Sequence, residues 1–264
     1  MSNVNRTVKI LVAAHKQYDM PQNHAYLPVQ VGAFGKQDLG YLRDDGGDNI
    51  SNKNFCYCEL TALYYGWKNI QADVLGLVHY RRYFAGKHPF RCNGKTFKIL
   101  DAETAEKYLQ KADVIVPKKR RYYIETLYSH YKHTMYVEPL NVTGDVIRET
   151  CPEYLAEFKR LQKRRSAHMF NMFVARREVL DDYCQWLFGI LAEVEKRVEV
   201  LKYDDFHKRF AGRISELLLD VYLNTRRLTY KEVGVINIEK QHLGKRINRF
   251  LRAKFNEEKY DESF

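Results

Sequence analysis

Residues 47–84 read GDNISNKNFCYCELTALYYGWKNIQADVLGLVHYRRYF, and the fold turns on them. A polar turn leads into an aromatic-rich helical pattern, then into the apolar run 73–78 (DVLGLV), which ends at His79, Tyr80, Arg81 and Arg82. A short apolar run bounded by polar residues predicts a strand buried on both faces, the strand type of a parallel α/β sheet. Open α/β sheets gather ligands at the carboxyl ends of their strands, so charge placed there asks for a ligand. If the strand continues through HYRRYF, alternation sends His79, Arg81 and Tyr83 to one face and Tyr80, Arg82 and Phe84 to the other. One guanidinium can then fork onto a phosphate while the other pairs internally.

Upstream, Phe55, Cys58, Leu60, Ala62, Leu63, Tyr65 and Trp67 predict a helix over 53–69 that is buried on most sides. Glu59 inside it needs a partner. It either pairs with a base such as Arg81 or acts in catalysis. The turn 43–49 (RDDGGDN) precedes this helix, and Asp48 or Ser51 is placed to cap it. Asp48 is alternatively a catalytic or acceptor-binding carboxylate.

Working outward, residues 8–14 (VKILVAA) predict a central parallel strand, and Ala13, Ala14, His15 and Lys16 at its end form a first place to seek a nucleotide. His15 either meets that ligand or caps the strand. Pro21, Pro28 and several glycines make 18–48 read mostly as loop. Residues 87–98 read as a basic loop or hairpin and 101–111 as a surface helix. The third strand, 113–117 (DVIVP), runs into Lys118, Lys119, Arg120 and Arg121, either a solvated loop or the wall of an anion site. His130 and His133 lie one turn apart in a helical stretch, 122–136, but no third ligand is near them, so no metal site is expected.

A helix over 141–158 should break at Pro152. Residues 167–174 (AHMFNMFV) read as an apolar strand whose His168 and Asn171 need partners or a ligand. Two helical stretches follow, 178–201 and 203–223. In the second, Glu216 opens an apolar run, as expected near a helix N-terminus, where it serves as a cap or a general base. Residues 232–239 read as a last strand. The stretch 240–255 carries six cations and no acid with helical apolar spacing, which suits an anionic lipid surface, a partner helix or solvent.

Composition bounds the rest. Hydrophobic residues make up 45% and charged residues 29% of 264, so the chain is globular rather than disordered. It reads as one domain, 1–239, with a basic tail, 240–264. Its 44 Lys and Arg against 33 Asp and Glu give a formal charge of +11, which predicts an anionic partner: nucleic acid, a nucleotide diphosphate or acidic lipid. Twenty tyrosines suit stacking on sugars or bases as well as a core. Five cysteines without paired spacing imply neither zinc nor a disulfide framework, and reduced cytosolic thiols are expected. The N-terminal apolar run is too short for a signal peptide or a membrane span.

The ordered pieces VAAHK, the Pro21 and 28–32 (PVQVG) loop, GDNIS with ELTALYYGWKN, GLVHYRRYF, VPKKRRYYIET, AHMFNMFV with YCQWLF, and RISELLLDVYL cover nearly the whole chain. In these the chain resembles bacterial capsule and exopolysaccharide glycosyltransferases catalogued as a domain of unknown function, some associated with galactofuranosyl transfer. The resemblance implies an α/β, GT-A-like fold with a central, mostly parallel sheet flanked by helices, followed by the basic C-terminal helix. It also implies an enzyme that moves a hexose, first of all galactofuranose, from a UDP-sugar to a capsule, exopolysaccharide or lipid-linked glycan acceptor. Many such folds hold a divalent metal with Asp-x-Asp after a central strand. No Asp-x-Asp occurs here, and HYRRY stands in the comparable place.

With that motif missing, the expectation is a metal-independent, cofactor-free transferase in which Arg81 and Arg82, with Lys118 to Arg121, neutralise the diphosphate; an inverting outcome is expected first, although retaining enzymes share this architecture. Glu216 is the implied base, with Asp48 and Glu59 in reserve. VAAHK with Asp48 and Asn49 would hold uracil and ribose; His79 and Tyr80 belong to the donor site, with His168 and Asn171 near the sugar or diphosphate. Such an enzyme works in the cytoplasm, peripherally on the inner face of the membrane. A basic nucleic-acid-binding protein and an inactive sugar-binding scaffold are the competing classes, although no nucleic-acid recognition module is visible.

Overall fold

An apolar run must be covered on both sides, and Val8–Ala14 is: all its residues except Lys9 are buried. The structure, a computed structural model, describes residues 6–239. Its strands are β1 (Val8–Ala14), β2 (Tyr26–Gln30), β3 (Leu42–Arg43), β4 (Val74–His79), β5 (Arg82–Cys92), β6 (Lys95–Ile99), β7 (Val114–Pro117), β8 (Arg120–Arg121), β9 (Ser166–Ala167), β10 (Phe173–Arg176), β11 (Tyr230–Val233) and β12 (Val235–Asn237). The α-helices are α1 (Asn54–Tyr57), α2 (Leu60–Asn69), α3 (Ala102–Leu109), α4 (Leu127–Thr134), α5 (Glu138–Thr150), α6 (Leu155–Gln162), α7 (Arg177–Arg197) and α8 (Phe210–Thr225). The proposed tail, 240–264, lies outside the described residues.

The described chain divides into two compact units, one of residues 6–118, 170–185 and 228–239 and the other of 119–169 and 186–227. In the first, the sheet runs β11-β7-β10-β4-β1-β2-β3. Four of these six pairings are parallel, while β10 is antiparallel to both of its neighbours. Two antiparallel steps restore direction, so β1, β4 and β7 all deliver their carboxyl ends to one sheet edge, and β10 starts there.

Alternation sorts the two faces. Leu11 and Leu75 point towards α2, where Gly66 lets helix and sheet approach: a Cβ there would lie 2.3 Å from Leu11 Cδ1. Val8, Ile10, Val12, Val74 and Val78 join Ala105 and Leu109 of α3 in the opposite core. The sheet is thus flanked by helices, as expected. In the second unit α6 packs on α4, α5 and α8, and the rings of Tyr154, Trp186 and Tyr222 cluster together. Among the described residues no helix is long and apolar enough to cross a membrane.

Several sequence expectations need correction. The supposed loop 18–48 contains β2 and β3; Pro28 obscured β2, but close to the sheet edge its missing N–H costs little. The helix expected over 53–69 breaks at Cys58, whose φ of 53° closes α1 before α2 begins. The strand expected over 167–174 is interrupted by Phe170 (φ 80°) and Asn171 (φ 53°), left-handed residues that cannot continue a pleat. The last strand splits at Gly234 into β11 and β12. The predicted strands β1, β4 and β7, the hairpin of β5 and β6, and the break after α5 at Pro152 are all present. Helix α3 is present too, with Asp101 accepting from the Thr104 N–H at 2.7 Å.

Candidate functional site

Strands β1 and β4 are adjacent and parallel, with Ala13 opposite His79, so the residues that follow them meet at the carboxyl edge. Here the expected alternation through HYRRYF fails. Tyr80 and Arg81 form a two-residue turn, His79 pairs with Arg82 across it, and β5 runs back. A pleat would group Arg81 with His79 and Arg82 with Tyr80; the reversal instead groups Arg81 with Tyr80 and Arg82 with His79, in two clusters.

The first cluster surrounds Tyr80. The His15 ring stands edge-on to it at 5.2 Å, and so does Tyr18 at 5.0 Å. Lys16 Nζ lies 5.6 Å from the Tyr80 centroid and the Arg81 guanidinium 5.0 Å, both within cation–π range. Arg81 pairs with Glu239 at 3.1 Å, and the Tyr18 hydroxyl donates to the same carboxylate at 3.2 Å. Burial pushes the phenols of Tyr18 and Tyr80 up, so both stay protonated near neutrality. A shallow cleft of about 500 Å³, lined by Gln17, Tyr18, Asp19, Leu39, Tyr41 and Asn93, adjoins this cluster through Tyr18. Ala13 and Ala14 are buried and contribute backbone: their carbonyls accept from the N–H groups of Tyr80 and Val31.

The second cluster surrounds His79. Its Nε2 lies 2.5 Å from the Phe170 carbonyl, which can only accept, so the Nε2 tautomer carries the proton. Burial pulls the His79 pKa down; the Glu59 charge opposes this, and Arg82 adds to it. Arg82 lies over the Phe170 ring at 4.7 Å, and Asn171 Nδ2 donates to Glu59 Oε1 at 2.7 Å. Arg81 pairs with Glu239 and not with Glu59, which the interruption of the helix at Cys58 puts at the start of α2, facing Asn171. The left-handed pair Phe170 and Asn171 aims a carbonyl and an amide into this cluster, and such backbone conformations gather at functional sites.

Asp48 and Asn49 are engaged locally. Asp48 accepts from the Tyr64 hydroxyl at 3.0 Å, and Asn49 bonds the backbone of Asp45, Gly46, Gly47 and Ser51. Neither Asp48 nor Ser51 caps α1, whose N-cap is Lys53; a 3-10 turn over Ser51–Lys53, itself preceded by Ile50, leads into it. Ser51 instead donates to Asp44, a fully buried carboxylate that also accepts from the N–H groups of Gly32 and Ala33 and was not singled out from the sequence. Lys118 stands exposed at the end of β7, on the same sheet edge, while Lys119, Arg120 and Arg121 belong to the second unit.

In that second unit His168 is fully buried. Its backbone N–H and its Nδ1–H both donate to Asp220, at 2.7 and 2.8 Å, which gives it an architectural partner in place of the expected ligand-facing strand position. Glu216 lies in the second turn of α8 rather than at its start, since the helix begins at Phe210; it is nearly buried, with Arg213 3.8 Å away. Asp220 was not anticipated. Nor was Glu125, a buried carboxylate that accepts from Nδ1 of both His130 (3.2 Å) and His133 (2.6 Å). Burial raises the Glu125 pKa, but the two imidazole donors outweigh it and the net shift is downward. Among the described residues no group of three or more His, Cys, Asp or Glu side chains is arranged to hold a metal ion.

Of the residues singled out in the sequence, the structure brings together His15, Lys16, Tyr80 and Arg81, and separately Glu59, His79, Arg82 and Asn171. Tyr18, Glu239 and Phe170 complete the clusters. Tyr18 was foreshadowed only by its place three residues after His15, and Glu239 by ending the last apolar run.

No curated protein matches the chain. Among solved structures it is similar to the apo structure of the bifunctional glycosyltransferase WbbM, with a TM-score of 0.77 and 28% sequence identity. The similarity covers 89% of this chain and 46% of that one, so this chain spans about half the length of that protein. A family model described as a domain of unknown function, DUF4422, matches residues 9–227, from within β1 to just beyond α8. The chain belongs to the DUF4422 family.

Proposed function

We propose that this chain is a glycosyltransferase that moves a hexosyl group, galactofuranose being the first donor to test, from a UDP-sugar to a glycan acceptor of capsule, exopolysaccharide or lipid-linked type. One observation carries the reading: Lys16 and Arg81 flank the buried Tyr80 ring where β1 and β4 end. Two cations beside a cluster of aromatic rings suit a diphosphate and its base. The likeness to WbbM supports the same reaction class.

In the proposed inverting step the acceptor hydroxyl attacks the anomeric carbon, the bond from that carbon to the β-phosphate oxygen breaks, and UDP departs with the electron pair. The hydroxyl proton passes to a carboxylate, Glu216 in this reading, with Asp48 and Glu59 next in line. Arginine and lysine supply the charge neutralisation that a divalent metal gives elsewhere.

A screen of UDP-sugars, including both galactose ring forms, tests this by thermal shift and by product formation. UDP should raise the melting temperature, an oligonucleotide should not, and transfer should survive EDTA. Protection by the oligonucleotide alone would favour a nucleic-acid binder. Loss of transfer restored by manganese would replace arginine with a metal in the mechanism.

A further inference from the structure

The loop 122–126 has two inward and two outward side chains. Tyr122 and Glu125 are buried, whereas Tyr123 and Ile124 between them are 81% and 55% exposed. The loop is held at both ends: the Tyr122 N–H donates to the Arg165 carbonyl at 2.7 Å and the Leu127 N–H to the Arg164 carbonyl at 2.8 Å. The Arg165 guanidinium also reaches the Tyr123 carbonyl at 3.3 Å. Tyr123 and Ile124 are thus displayed by a braced backbone.

Cations rim this display. Arg121 precedes the loop in β8, which pairs with Ser166 and Ala167, and that pairing brings Lys163 and Arg165 alongside; all three are exposed. The nearby Glu157 is occupied by Arg160 and Arg164. An exposed tyrosine and an aliphatic residue ringed by arginine and lysine match an anionic lipid surface, where the apolar pair enters the headgroup boundary and the cations meet phosphate. A nucleic acid would give Ile124 nothing to stack on or bond.

We propose that the Tyr123–Ile124 loop and its basic rim dock this chain onto an anionic membrane surface. Such docking requires neither transfer activity nor the residues beyond 239. Flotation of the full chain with phosphatidylglycerol–phosphatidylcholine vesicles, against phosphatidylcholine alone, tests it. The chain should bind the anionic vesicles, and Y123S/I124S and R121E/K163E should each weaken the partition roughly tenfold with unchanged melting temperatures. In the Tyr123→Trp variant, brominated lipid should quench the fluorescence of the introduced indole. Equal binding by wild type and both double variants, or an indole signal that brominated lipid leaves unquenched, would overturn the proposal. So would an oligonucleotide that shifts this fluorescence when vesicles do not.

Discussion

Arg81 and Arg82 are consecutive in the chain yet serve different partners: Arg81 pairs with Glu239 at 3.1 Å, and Arg82 lies over Phe170 at 4.7 Å. The turn between β4 and β5 makes this division. Replacing Arg81 by Ala should therefore weaken UDP binding by at least about tenfold, the scale of one charge-assisted hydrogen bond. The melting temperature should barely move, because the Arg81–Glu239 pair is more than a third exposed on each side and such pairs contribute little. Calorimetric titration with UDP alongside thermal melts separates the two effects. Unaltered affinity would remove Arg81 from the donor site.

His79 sets a pH dependence. Burial holds its folded pKa below the usual 6.5, so the unfolded chain binds the proton more readily. Its contribution to stability is complete above that unfolded value and is lost as pH falls through it towards the folded pKa. His130, also pulled down by burial, titrates in the same direction. Gln at position 79 can still donate to the Phe170 carbonyl but cannot titrate. Urea unfolding at pH 7.5 and 5.5 should show a smaller acid-induced loss in His79→Gln than in the wild type.

Asn171 donates to Glu59 across 2.7 Å, and its φ of 53° is one that Asp also tolerates. Asn171→Asp would keep the backbone and set two carboxylates against each other. A loss of about 1–3 kcal/mol at neutral pH is expected, shrinking as one carboxyl takes up a proton. Denaturation curves at pH 7 and pH 5 read the difference directly, and a loss that grows on acidification would contradict it.

Glu216→Gln should abolish transfer while leaving UDP binding measurable, since an amide cannot accept the acceptor proton. Near-normal turnover would move the assignment to Asp48 or Glu59. Single-turnover product formation, set beside UDP titration, distinguishes lost chemistry from lost binding.

The parts legible in sequence were those fixed by local pattern. Strands β1, β4 and β7 announced themselves because strands covered on both faces are apolar throughout, and α3 because its acids come early and its lysines late. The remainder was set by backbone conformations that composition does not encode. Cys58, Phe170 and Asn171 adopt left-handed angles, the last two alongside contacts to His79, Arg82 and Glu59, and each broke an element that periodicity had drawn as continuous. Asp44, Glu125 and Asp220 looked like ordinary acids, and only folding supplied the donors that bury them. The gathering of residues at the ends of β1 and β4 was foreseeable, as was the parting of Arg81 from Arg82; the turn that groups Arg81 with Tyr80 and Arg82 with His79 was not.

The two-residue reversal at Tyr80 and Arg81 makes length, and not composition alone, a constraint on this chain. Deleting Tyr80 would keep both arginines and deleting Arg81 would keep one, but either would force the returning strand out of register. A Lys-for-Arg exchange at position 81 preserves that geometry. Insertions or deletions within 79–82 should therefore be tolerated far less than substitutions, a pattern that a length-variant library scored for folding can reveal.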